Sequence, residues 1–322
     1  MATTTTATSQ DQAANTTLTA GLLPAVSSAA AFGLSGSLAR SLLTLGWSPA
    51  AVVAARVGGA FLLLLLPCLM LVQRVGLPSG RQAGRMAAYG LVAVALAQLC
   101  YFSSVQYLSI GEALLLEYLA PVLLIGWHWA RNHRRPGNGV LIGAGVAVVG
   151  LVLVLNLTGA LTLNPTGVVW GLGAAACLCA YFVLSEETGP ETPLHPLILT
   201  TAATGIGGLV IILAGAAGVL PINAKTGQTL VAGKPVSWLL PVALLILITA
   251  VFAYLAGITA IRMLGSSIAS FVSLSEVIFA VIFAAVLLDQ RPTAIQLLGG
   301  GLILVGIAVV QRGEKSRILT DR

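Results

Sequence analysis

The chain has 322 residues, 57% of them hydrophobic and 8% charged, with a formal net charge of +6 and a mean hydropathy of +0.99. A soluble domain carries about 25% charged residues, so this chain cannot cover a water-facing surface. Soluble enzymes, nucleic-acid binders and secreted disulfide scaffolds are excluded, and at about 20 apolar residues per bilayer crossing the length admits many spans.

Residues 1–20, rich in Thr, Ala and Gln, hold no Lys or Arg. They lack the basic start of a secretory signal and read as a disordered tail. Apolar runs at 22–45, 50–73, 84–107, 110–131, 138–157, 167–187, 196–219, 237–261, 266–287 and 293–312 then predict ten transmembrane helices, followed by a basic tail over 313–322. The fold class expected is an all-α polytopic membrane protein. Cys68, Cys100, Cys177 and Cys179 all lie inside apolar runs. Without metal-ligand spacing they read as packing residues rather than a metal site or a disulfide.

Lys and Arg placement predicts the orientation. Arg74, Arg81 and Arg85 follow the second run; Arg131, Arg134 and Arg135 follow the fourth; Arg312, Lys315, Arg317 and Arg322 follow the tenth, and Arg262 joins them. The opposite side holds Lys225, Lys234 and Arg291. This asymmetry predicts that both termini are cytoplasmic, in a multi-pass protein of the cell (plasma/cytoplasmic) membrane.

Sliding the chain along itself by 156 residues superposes the fourth and fifth runs on the ninth and tenth. Arg135-Pro136 meets Arg291-Pro292, and Gly143, Gly145 and Gly150 meet Gly299, Gly301 and Gly306. The sixth and seventh runs match the first two more loosely, Ser48-Pro49 against His195-Pro196. Five helices per copy is an odd number, so the second copy enters the membrane from the opposite side. The expected units are 21–157 and 166–312, an inverted pair of the kind that holds a substrate near the midplane of secondary transporters.

These residues carry a resemblance to a family. The Gly46-Trp47-Ser48-Pro49 turn followed by Arg56, the run LLLEYLAPVLLIGWHW with Glu117 and Pro121, and the closing segment SLSEVIFAVIFAAVLLDQRPTAIQLLGGGLILVGIAVV resemble the EamA group of the drug/metabolite transporter superfamily over about 22–312. Val277 stands where a proline often follows the glutamate, and Leu288-Asp289 replaces a common Gly-Glu. The resemblance implies a ten-helix, two-repeat exporter of amino acids or related metabolites.

A charge in hydrocarbon costs at least about 2.5–3.5 kcal/mol on the insertion scale, so each one needs a reason. Glu276 falls near the middle of the ninth run, and Glu117 near that of the fourth. Either they line a central cavity, binding a substrate amine or exchanging a proton, or each is neutral and hydrogen-bonded to a neighbouring helix. The first reading is taken for Glu276; for Glu117 both stay open. Arg56, two turns inside the second run, pairs with a glutamate or receives a substrate carboxylate, whereas Arg40 snorkels. Gln98, Tyr101 and Tyr118 form a polar-aromatic set suited to a zwitterionic solute, which Tyr181 and Tyr254 could join.

A small-molecule substrate and the lipid bilayer are therefore the expected partners, with no nucleic acid. Dense small-xxx-small spacing also allows a homodimer. There is no phosphate-binding loop, no metal-ligand spacing and no cofactor motif, so neither ATP nor a cofactor is expected on this chain, and enzymatic activity is not expected. Two alternatives remain: a membrane-embedded lipid-modifying enzyme, disfavoured by three scattered His, and a uniporter or exchanger of larger solutes such as sugar nucleotides, disfavoured by the single deep cation Arg56.

Overall fold

The computed structural model describes residues 5–76, 78–120, 122–123, 126–127, 130, 137–154, 164–187, 195–273 and 275–320. In chain order these form α1 (Thr5–Leu45), α2 (Pro49–Val75), α3 (Gly80–Tyr107), α4 (Ile110–Glu117), α5 (Asn138–Val154), α6 (Pro165–Glu187) and α7 (Pro196–Ala216). A hairpin of β1 (Gln228–Val231) and β2 (Lys234–Ser237) follows. Then come α8 (Leu239–Ile246 and Ala253–Ser273, joined by a π-helical turn), α9 (Ser275–Leu288) and α10 (Ala294–Thr320). α1 over Gly21–Leu45, α2, α3, α7 and α8 over Leu239–Leu264 are each long and apolar enough to cross a bilayer; Leu141–Gly150, Pro165–Ala180, Ser275–Leu288 and Leu297–Gly306 are shorter apolar helices. The protein is a polytopic helical membrane protein.

α1 begins at Thr5, and the segment contains no Gly or Pro before Gly21 to interrupt the backbone. The loop between α7 and α8 contains a hairpin the hydropathy pattern did not reveal. Its turn residues Ala232 and Gly233 have φ of 53° and 71°, the conformation of a two-residue loop that matches strand twist. Glu276 lies in the first turn of α9 as described from Ser275. The basic loop at Arg131, Arg134 and Arg135 lies outside the described residues.

Local chemistry sets the helix starts. Ser48 caps α2 by accepting from the Ala51 N–H, with Pro49 at the first position. His195 Nδ1 accepts from the Leu197 N–H ahead of Pro196, the same arrangement in the second copy. Ser109 and Glu112 close a capping box on α4.

The repeat reappears in packing. Gly150 approaches the Gly299 carbonyl and the Ile303 amide, while Gly306 approaches the Gly143 carbonyl and the Ala147 amide. Each contact is the other displaced by 156 residues, so α5 and α10 cross on a local two-fold axis. α3 and α8 each contain a π-helical turn, Gly90–Leu96 and Leu247–Phe252, in the same repeat register. Where α2 meets α8, Gly59 faces Ile246; where α7 meets α3, Ile206 faces Gly90. These are equivalent joints with the small and large residues exchanged.

α1 threads the centre. Ser28 donates to the Ala253 carbonyl at 2.8 Å and Gly21 lies against Met263 and Leu264, so α8 descends α1 antiparallel. Gly33 lies against the backbone of Glu276 and Ala280, so the chain has turned back between Leu264 and Glu276 and α9 climbs α1. The hairpin closes one end of the molecule: Thr229 donates to the Ser41 carbonyl, the Ala232 N–H to the Leu287 carbonyl, and Trp47 Nε1 to the Lys225 carbonyl, with Trp47 and Trp238 ring centroids 5.6 Å apart.

Candidate functional site

Gly33 is midway along the Gly21–Leu45 span, and Glu276 packs beside it. The glutamate is therefore held at mid-membrane depth. Around that level several polar side chains from both repeats converge in an otherwise apolar interior.

Arg56 is 3% exposed. Its Nη2 donates to the Thr249 carbonyl, and its Nε has no hydrogen-bond partner among the described residues. That carbonyl belongs to the π-helical turn of α8, where altered backbone pairing makes an oxygen available. The guanidinium lies over two rings, 5.9 Å from the Phe32 centroid and 5.6 Å from the Phe102 centroid, which supply cation–π attraction in place of water. Phe32 in turn packs edge-on to Tyr254 at 5.0 Å.

Gln98, one turn before Phe102 on α3, donates from Nε2 to the Tyr254 hydroxyl at 2.9 Å; its Oε1, buried, has no partner. Tyr101 is 6% exposed, and its hydroxyl reaches α1 at Gly36. Arg56, Phe32, Tyr254, Gln98 and Phe102 thus form a closed ring of contacts, and Glu276, Glu117 and Tyr101 lie within electrostatic reach of the guanidinium.

α4 ends at Glu117, because Pro121 four residues on has no N–H to give its carbonyl. The equivalent position of the second repeat is Ser273, and Val277 stands where the first repeat has Pro121. Tyr118 joins the two repeats here: its hydroxyl lies 3.0 Å from the Ser273 carbonyl and 3.1 Å from Glu276 Oε2. A half-buried carboxylate, a phenol and a backbone carbonyl therefore meet at one point.

Of the residues singled out from sequence, Arg56, Gln98, Tyr101, Glu117, Tyr118 and Glu276 are brought to this region, with Tyr254. The Tyr181 side chain lies outside the described residues. Arg40 does not snorkel: it donates to the Val105 and Leu108 carbonyls at the end of α3. Glu112 is spent on the α4 capping box. Sequence reasoning missed Phe32, Phe102 and Thr249. Only the four-residue spacing of Gln98 and Phe102 carried a signal for them. It also missed that Cys100 and Cys177 face each other across α3 and α6.

The chain matches the model of the EamA-like transporter family over residues 19–156 and 165–312. It is 26% identical over 283 residues to an uncharacterized transporter of Archaeoglobus fulgidus, covering 87% of this chain and 93% of that protein. It is 21% identical over 244 residues to an uncharacterized inner membrane transporter of Salmonella typhimurium, covering 75% of this chain and 77% of the other. A crystal structure at 20% identity shares the fold with a TM-score of 0.56, over 90% of this chain and 95% of that one.

Proposed function

The chain belongs to the EamA-like transporter family, and from that premise we propose that it exports small zwitterionic metabolites, amino acids first among them, across the cell membrane by alternating access. The observation that carries this reading is the pairing of opposite recognition groups at mid-membrane. Arg56 offers an unpartnered Nε, while Gln98 Oε1 and the Glu276 carboxylate are acceptors on the neighbouring helices. A carboxylate on the guanidinium and an ammonium toward the acceptors would complete both, and Phe32, Phe102 and Tyr101 would receive an apolar side chain.

One half rocks against the other about this site. The hairpin and the Trp47–Trp238 contact, on the side that positive charge avoids, support a state closed to the exterior, in which cytoplasmic solute would load. Both termini are cytoplasmic in this reading. Glu276 exchanges a proton as the solute leaves, its link to Tyr118 breaking and reforming with each cycle.

The test is counterflow and pH-driven efflux in proteoliposomes with a radiolabelled mixture of protein amino acids. The wild type should move label uphill against a pH gradient, and Glu276→Gln should keep counterflow but lose uphill movement. Uphill transport surviving in Glu276→Gln would remove the coupling role; no counterflow of any amino acid by the wild type would remove the substrate class.

A further inference from the structure

α3 and α6 come from different repeats and pack at unusually short range. Ser104 donates to the Gly167 carbonyl at 2.8 Å, and Gly167, Gly171 and Gly173 leave room for Leu108, Ser104 and Cys100 in antiparallel order. A Cβ placed on Gly173 would stand 3.8 Å from the Cys100 Cβ and 3.3 Å from its Sγ. At that level the two helices have the separation a disulfide requires, about 3.5–4.5 Å between Cβ atoms. Cys177 lies one turn beyond Gly173 on the same face of α6, which brings its thiol within interaction range of the Cys100 thiol. Both cysteines are free and half-buried, and the Glu117 carboxylate lies within electrostatic reach of both.

We propose that Cys100 and Cys177 form an oxidation-sensitive clasp: hydrogen peroxide converts them to a disulfide that ties the first repeat to the second. One thiol gives its proton to Glu117 and its sulfur attacks hydrogen peroxide, breaking the O–O bond to form a sulfenic acid and a hydroxide, which takes the proton back from Glu117 and leaves as water. The second thiol displaces the sulfenic hydroxyl, forming the S–S bond and a second water. Two thiols lose two electrons and two protons, and the peroxide takes up both. Because α3 also carries Gln98 and Tyr101, the bond fixes one wall of the candidate site to the opposite repeat and halts the cycle. Only the flux readout below rests on the transport reading.

The full chain in proteoliposomes is treated with hydrogen peroxide, its remaining thiols are blocked, and the peptides are weighed. The linked peptide should join Cys100 to Cys177, two hydrogens lighter than the free pair, and revert with dithiothreitol. Amino-acid flux should fall at least tenfold on oxidation and return on reduction. Backbone hydrogen exchange over α3 residues 97–107, which needs no substrate, should slow at least tenfold. Cys100→Ser and Cys177→Ser should each keep basal flux and lose the peroxide response. Both thiols staying free under peroxide, a bond to Cys68 or Cys179 instead, or a formed disulfide with unchanged α3 exchange would each overturn the proposal. Absent flux in the unoxidised protein would fail the amino-acid reading alone, since the linked peptide and the exchange rate are read without it.

Discussion

Gln98 and Tyr254 are hydrogen-bonded at 2.9 Å and occupy the same position of the two repeats, 156 residues apart. A residue can meet its own repeat mate only on the axis that relates the copies, so this bond marks that axis beside Arg56. The symmetry stops at that point: one copy brings an amide and the other a phenol. A double-mutant cycle of Gln98→Ala and Tyr254→Phe should give a coupling of about 0.6 kcal/mol, up to about 1.7 kcal/mol, the range of interhelical bonds in membranes. Unfolding in mixed detergent micelles measures it; strictly additive effects would show that the bond does not hold the axis.

Arg56 is charged, fully inside the protein, and stabilised by rings and a carbonyl. Replacing a buried ion pair by apolar residues of similar volume is often neutral or stabilising by about 1–4 kcal/mol. This guanidinium rests on a carbonyl and two rings, so its removal strands no bonded carboxylate among the described residues. Arg56→Met should therefore keep or raise the melting temperature. It should also weaken apparent amino-acid affinity by about 2 kcal/mol or more, roughly thirtyfold. A loss of both stability and binding would mean that Arg56 is a structural residue.

At the α5–α10 crossing, a methyl group on Gly306 would stand 2.6 Å from the Gly143 carbonyl and 2.6 Å from the Ala147 amide, both rigid backbone. Gly306→Ala should cost about 1–3 kcal/mol, the range of overpacked interiors. Because Gly150 makes the mirrored contact, Gly150→Ala should cost a similar amount. Gly301→Ala, which meets open space, should be neutral. Thermal unfolding of the three variants in one detergent decides it.

Orientation can be read chemically. Lys225 lies beside the Gly46 turn and Lys234 starts β2, both at the end sealed by the hairpin. A membrane-impermeant amine reagent added to intact cells should label these two, and label Lys315 only after permeabilisation. The reverse pattern would invert the topology drawn from the Arg and Lys distribution.

Much of this was legible in the sequence because it depends on composition and period. The 156-residue offset rests on paired Arg-Pro steps and three glycines in register, and two of the glycine pairs, Gly143 with Gly299 and Gly150 with Gly306, are the ones that cross at the axis. Other features had no such trace. The π-helical turns of α3 and α8 have no residue signature, so the carbonyl that Arg56 uses could not be anticipated. Hydropathy gave only an apolar run over 266–287, and the packing of Glu276 on Gly33 fixes the depth of the carboxylate. Phe32 and Phe102 looked like ordinary apolar residues until the fold placed a guanidinium between them.

The exchanged joints have a consequence for how such a chain could be assembled. Gly59 accepts Ile246, and Gly90 accepts Ile206. Two first halves brought together would set glycine against glycine at both joints and leave voids; two second halves would drive isoleucine into isoleucine. The halves are therefore no longer interchangeable parts. Whatever their common origin, they have become lock and key to each other, and neither can substitute for its partner.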